Sequence, residues 1–89
     1  MQITEIKIRK LLDTGRLRAV VSVTFDDVFA VHDIKVVQGD ERLFIAMPSR
    51  REQDGSYRDV VHPINAEFRQ MTEKAVLQRY KSVVGENSF

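Results

Sequence analysis

Apolar residues at every second position mark the clearest element of this 89-residue chain. Leu17, Ala19, Val21, Val23 and Phe25 fall on one face of an extended segment, and Arg18, Ser22 and Thr24 on the other. Successive side chains of a strand point to opposite faces, so the pattern predicts a half-buried strand over 17–25. Ile6 and Ile8 alternate with Lys7 and Arg9 and predict another strand over about 2–11. Val28 to Val37 is rich in β-branched residues and predicts a third. Asp26-Asp27 supplies a tight turn between the last two, making them a long hairpin. Leu43 to Met47 predicts a fourth strand, ended by Pro48, which has no amide hydrogen for a ladder. Tyr57 to Val61 predicts a fifth, entered through the Asp54-Gly55 turn and ended at His62-Pro63. Asp13-Thr14-Gly15 and Gln38-Gly39-Asp40-Glu41 complete the turns.

The period changes after Pro63. Asn65 suits an N-cap, and Glu67 is favourable in a first helical turn. Phe68, Met71, Thr72, Ala75, Val76, Tyr80, Val83 and Val84 then recur at spacings of three and four. This predicts one amphipathic helix over about 66–83, with Gly85 as its stop. The order is that of an α+β domain over residues 1–84, followed by a frayed tail at 85–89. Its architecture is an antiparallel meander of about five strands with one C-terminal amphipathic helix. One helix covers only part of such a sheet. The leftover apolar face and open strand edges predict a homodimer.

Composition narrows the function classes. A chain of this length buries only about 60% of its unfolded surface, so its core is modest. It has no cysteine, which removes disulfide frameworks and thiolate metal sites. No basic stretch followed by an apolar run opens the chain, so no signal peptide is expected. No apolar run approaches the ~20 residues of a membrane span, so no membrane insertion is expected. The net charge of +1 implies no partner, but its distribution is uneven. Lys7, Arg9, Lys10, Arg16 and Arg18 outweigh Glu5 and Asp13 in residues 1–18. Lys35 alone faces Asp26, Asp27, Asp33, Asp40 and Glu41 in residues 19–41. A nearly neutral chain of this kind can still present a basic face.

Candidate chemistry is concentrated in residues 43–65. Arg50 and Arg51 lie in the polar stretch between two short strands, and Arg58 follows the Asp-Gly turn. Planar guanidinium groups suit phosphate, and the alternative is a solvated hairpin tip. Arg58 equally suits a surface ion pair with Asp54 or Asp59. Arg69 lies one turn into the helix, where free amides and the dipole also favour phosphate. Tyr57, beside the basic stretch, is the aromatic placed for stacking on a base. Phe25, Phe44 and Phe68 fall on apolar faces and are expected in the core.

His32-Asp33 raises the question of general-base chemistry, but adjacent strand residues point apart. His32 shares the parity of Val28, Ala30, Ile34 and Val36, which predicts a core or interface histidine. His62 is expected to hold the turn into the helix. No glycine-rich phosphate loop, nucleophile elbow or metal-ligand spacing occurs, so neither a catalytic residue, a metal nor a cofactor is expected.

Several segments, in order along the chain, resemble the stage V sporulation protein G (SpoVG) family of small bacterial septation regulators. They are Val31-His32-Asp33-Ile34, Phe44-Ile45-Ala46-Met47-Pro48-Ser49, Asp54-Gly55, Tyr57-Arg58-Asp59 and His62-Pro63-Ile64-Asn65. The opening Met-x-Ile-Thr-Glu-Ile and Gly15-Arg16-Leu17-Arg18-Ala19 also match, so the resemblance covers about residues 1–84. It implies a dimeric cytoplasmic protein with a β-sheet and a C-terminal helix. It further implies site-specific DNA binding, and RNA binding in some members, linked to septation, cell division, sporulation and transcription regulation. By the same resemblance, nucleic-acid contact falls to Arg50 and Arg51 and to Ala66, Glu67, Phe68 and Arg69 at the helix start. Glu67 departs from what a phosphate would favour. The alternative function is a protein-interaction module acting at cell division, with division or regulatory proteins as partners and no direct nucleic-acid contact.

Overall fold

The computed structural model describes residues 1–86. Among them, six strands and one helix follow one another: β1 Ile3–Leu11, β2 Leu17–Phe25, β3 Phe29–Gln38, β4 Leu43–Ala46, β5 Ser49–Arg51, β6 Tyr57–Asp59 and α1 Ala66–Glu86. The first four form one antiparallel sheet in chain order, β1-β2-β3-β4. The last two form a separate antiparallel ribbon. The α+β architecture expected from the sequence is therefore present. Its fifth strand, however, pairs with a short polar strand instead of joining the sheet. That strand, Ser49-Arg50-Arg51, is exposed throughout and carries no apolar alternation to announce it.

The sheet buries one face. Ala19, Val21 and Val23 of β2 are fully buried, with Ile34 and Val36 of β3 beside them. α1 closes this face with Thr72, Val76 and Tyr80, a stripe at intervals of four residues that follows the helical repeat. Phe68, one turn earlier, is half-buried, and its ring lies 5.5 Å from that of Phe25. Burying a side chain such as Val76 contributes about 1.5–3 kcal/mol, so this stripe is the main attachment of the helix.

Register irregularities make the burial possible. Ile6 and Ile8 pair with Val23 and Val21, yet Ile3, of opposite parity, pairs with Phe25 on the same face. One extra residue on β1 at Thr4 absorbs the difference. β3 repeats the device. Val31 pairs with Val23 and Ile34 with Val21, so three steps on β3 match two on β2. The bulge falls at His32-Asp33, and Asp33 takes a positive φ of 65°. Without it, Val31 and Ile34 would face opposite sides. His32 is consequently not the core residue that parity predicts. The bulge takes it out of the apolar alternation and leaves it exposed on the outer face, where Nδ1 lies 2.8 Å from Ser22 Oγ.

The β2–β3 turn uses two aspartates where glycine or asparagine is the usual choice. Asp26 and Asp27 have φ of 52° and 58°, and the Val28 amide donates to the Phe25 carbonyl at 3.1 Å. Two successive positive φ values are the mark of a type I′ turn. The N-terminal segment secures it. The Gln2 amide donates to Asp26 Oδ1 at 2.8 Å, and the Asp27 amide donates to Thr4 Oγ1 at 3.0 Å.

At the other edge, the Ile45 amide points away from β3 and donates to Glu73 Oε2 of α1 at 3.2 Å. Glu73 Oε1 accepts from Arg42 at 3.1 Å. One helix carboxylate thus blocks part of the β4 edge and ties the helix to the sheet. The helix continues through Gly85, past the stop that the sequence predicts there. Gly85 is not among the glycines with positive φ, so no left-handed cap forms there. A helical glycine costs only about 1 kcal/mol relative to alanine. Of the tail expected at 85–89, the first two residues are helical and the rest lie outside the described residues.

Two stability changes follow from these contacts. Asp27→Gly relieves a left-handed non-glycine residue and should stabilise the fold by about 0.5–1 kcal/mol in urea unfolding. A loss of stability there would mean that the Asp27 side chain matters more than its backbone strain. Glu73→Ala should cost about 1–2 kcal/mol, lowering Tm by about 5–10 °C in calorimetry. Glu73→Gln should recover most of that, because its amide oxygen still accepts from Ile45. Equal damage from both variants would show that the charge, and not the edge cap, is what counts.

Candidate nucleic-acid interface

The ribbon is a polar hairpin built on local bonds. Ser49 pairs with Asp59, Arg50 with Arg58 and Arg51 with Tyr57. The Glu52 amide donates to the Ser56 carbonyl at 2.7 Å, and the Gly55 amide to the Glu52 carbonyl at 3.0 Å. Gly55 has φ of 89°, a conformation that side chains disfavour. Asp54 Oδ1 accepts from both the amide and the hydroxyl of Ser56, at 2.9 and 2.6 Å. These bonds favour the ionised form and hold the Asp54 carboxyl below its usual range. The arginines therefore sit on β5 and β6 themselves, not at the tip, which Glu52 to Ser56 occupy.

This hairpin breaks a local rule. Directly opposed like charges destabilise a strand pair, yet Arg50 faces Arg58. Arg58 is partly offset by Glu52, 3.7 Å from its Nε, and not by Asp54 or Asp59. Among the described residues, no carboxylate pairs with Arg50 or Arg51. The three arginines line one shallow surface hollow together with Glu52, Asp54 and Ser56. Tyr57 is exposed across from Arg51.

The helix start is capped as its sequence predicts. Asn65 Oδ1 accepts from the Phe68 amide at 2.8 Å, and the Asn65 carbonyl accepts from the Arg69 amide at 3.0 Å. Ala66, Glu67 and Arg69 are exposed, and Arg69 has no ion pair among the described residues. Phe68 differs from them. Its half-buried ring is turned to Phe25, so the helix start offers Arg69 and backbone outward and Phe68 inward. His62 Nδ1 donates to the Pro63 carbonyl at 3.1 Å, within the connection to the helix.

Four further basic residues lie elsewhere, on the sheet and its loops. Arg16 is paired with Asp40 at 2.7 Å, joining two loops and cancelling part of the charge asymmetry seen along the chain. Lys7 stands across from Ser22, while Lys10 and Lys35 flank Val20 on the outer sheet face. Sequence reasoning missed that grouping, because it depends on the register of three strands. It also missed the Ser22–His32 contact. Ser22 is only 6% exposed, and it meets the histidine because the bulge turns that ring outward. Among the described residues, no cluster of three or more histidine or acidic side chains is arranged to hold a metal. No helix among them is long and apolar enough to cross a membrane.

The chain is similar in sequence to known proteins. The family model described as SpoVG matches residues 1–82. Named relatives match along nearly their whole length. A Caldicellulosiruptor saccharolyticus protein is 52% identical over 84 residues, covering 94% of this chain and 96% of the relative. A Clostridioides difficile protein is 56% identical over 80 residues, covering 90% and 87%. A Caldanaerobacter subterraneus protein is 52% identical over 88 residues, covering 99% and 97%. All three bear the name "Putative septation protein SpoVG". A match of this extent takes in both the strands and the helix described above, and the chain belongs to the SpoVG family.

Proposed function

We propose that this protein is a non-enzymatic, dimeric nucleic-acid-binding regulator that acts in the cytoplasm, in septation, sporulation and the control of transcription. The relatives' name supports the septation part. The observation that carries the nucleic-acid part is the exposed ribbon with Arg50 set against Arg58 and Arg51 beside them. Like charges placed in register cost stability, and a bound polyanion offsets that cost. The form also fits, because the major groove of B-DNA admits a two-stranded β-ribbon. In this reading Arg50, Arg51 and Arg58 contact phosphate or base edges, with DNA as the main ligand and RNA as a second. Arg69, with the exposed residues Ala66 and Glu67, adds a contact at the helix start. Phe68 acts indirectly by seating that turn against Phe25. A homodimer presents two such ribbons to one duplex.

Binding should weaken steeply as salt rises, because phosphate neutralisation releases counterions. Arg50→Ala with Arg51→Ala should lower affinity for duplex DNA by about ten- to a hundredfold. It should also flatten the log–log salt slope by about one for each phosphate no longer neutralised, with thermal unfolding unchanged. Wild-type binding by the double variant at matched salt would remove the ribbon from the interface. Nuclease-resistant capture of a division protein at high salt, without a gel shift, would favour the protein-interaction reading instead.

The ribbon tip offers a pH test. Asp54 has a depressed folded pKa, so the ordering it provides is present above the ordinary carboxylate value and fades as pH falls through the folded one. Ser56→Ala removes the hydroxyl donor and should move the Asp54 titration upward in carboxyl-detected NMR. An unchanged titration would show that the amide alone holds the carboxylate.

A further inference from the structure

β3 has ten residues and β4 only four, and the two pair from Lys35 to Gln38 alone. From Phe29 to Ile34, β3 pairs with β2 on one side and with no strand on the other. Among the described residues, no loop amide or carbonyl takes the place of the missing strand. The chain guards its other open edges. β1 carries Glu5, Lys7 and Arg9 and two register shifts, and Glu73 caps the Ile45 amide of β4. Val28-Phe29-Ala30-Val31 has no such guard. All four residues are uncharged, with Val28 84% and Phe29 48% exposed. The edge is not walled off either. A groove of about 480 Å3 runs beside it, with Pro48, Ser49, Val60 and Val61 on its far side.

From this bare edge we propose an interface in which the Phe29–Val31 stretch of β3 pairs antiparallel with the same stretch of a second copy, joining two four-stranded sheets across a two-fold axis. The pairing rests on the dimeric reading given above and names its contact surface. It does not depend on nucleic acid. A second copy fits because the edge is self-complementary. Antiparallel pairing of a segment with itself is an isologous contact, in which the unmet amides of each copy meet the unmet carbonyls of the other. Face parity sets the register. Phe29 and Val31 oppose Phe25 and Val23 on the buried face, and Ala30 opposes Thr24 on the outer one. Directly opposed residues share a face, which leaves registers centred on Ala30 or on Val31. Centring on Val31 would set the bulge at His32-Asp33 inside the ladder and disrupt it. With Ala30 on the axis, each Phe29 lies opposite Val31 of the other copy, and the bulge falls at the end of the ladder. Each Phe29 then covers apolar wall at Val31, Met47 and Val61 that one copy leaves open. A small domain with a modest core gains from that burial.

The chain has no cysteine, so Ala30→Cys carries a single thiol. Opposed residues on paired strands lie about 4.5–5.5 Å apart between Cα atoms, within reach of a disulfide. Mild oxidation should convert most of Ala30→Cys to a covalent dimer, whereas Glu41→Cys, exposed in a loop, should cross-link far more slowly. Light scattering should give a dimer for the wild type. Phe29→Lys places a charge on each side of the axis and should raise the dissociation constant by about a hundredfold, with far-UV circular dichroism unchanged. If the lysine variant does not fold, the cross-linking comparison decides alone. A dimer that is indifferent to Phe29→Lys, or an Ala30→Cys chain that cross-links no faster than Glu41→Cys, overturns the β3 pairing and leaves the dimeric reading intact. A wild type that stays monomeric at about 100 µM overturns both, and leaves the edge to an extended peptide of another protein.

Discussion

The stripe of Phe68, Thr72, Val76 and Tyr80 on one helix, set against Val21, Val23, Ile34 and Val36 of the sheet, is the contact on which the rest of the molecule depends. A single helix of this length can cover one sheet face only, and a small domain has little other apolar surface to bury. Most apolar side chains of the sheet must therefore reach the same side, and Val20, between Lys10 and Lys35, is an exception. Glu73 fixes the helix laterally by capping the Ile45 amide, and Phe68 fixes its first turn against Phe25. The connection from the ribbon and the exposed start of α1 hang from that seat. Arg69 is presented outward because Phe68, one residue earlier, is held inward.

Much of this is legible in the sequence. β2 can be read at its observed limits, because every second residue from Leu17 to Phe25 is apolar and the strand pairs on both sides. The turn at Asp26-Asp27, the Asn65 cap and the helix face are legible too, since each rests on chemistry confined to a few neighbouring residues. Parity fails where a residue is inserted. Nothing in Val31-His32-Asp33-Ile34 announces a bulge, and the alternation rule puts His32 on the wrong face. β5 escapes because Ser49-Arg50-Arg51 has no buried side and pairs only through its backbone with β6. The family resemblance, in contrast, is legible from scattered short segments, because it rests on residue identity and not on the period of a pattern.

The two places where this chain departs from local preference are of opposite kinds. On the ribbon, positive charge is placed against positive charge in water, where salt and solvent soften the cost. Under the helix, a single hydroxyl is left unpaired in an apolar wall, where nothing softens it. Consistency between local preference and the fold holds through most of the molecule. The first lies at an exposed surface, and the second lies within the helix–sheet contact itself.

The bulge at His32-Asp33 also says where the chain can change length. It serves as a fixed mark of register: a residue added or removed between it and the Asp26-Asp27 turn would carry Val31 off the buried face. The tip from Glu52 to Ser56 carries no such mark, being closed by its own bonds and backed by no buried side chain. Insertions and deletions among descendants of this sequence are therefore expected to collect at the tip of the ribbon and to spare the β2–β3 hairpin. The part of the molecule freest to vary in length is then the part least tied to its core.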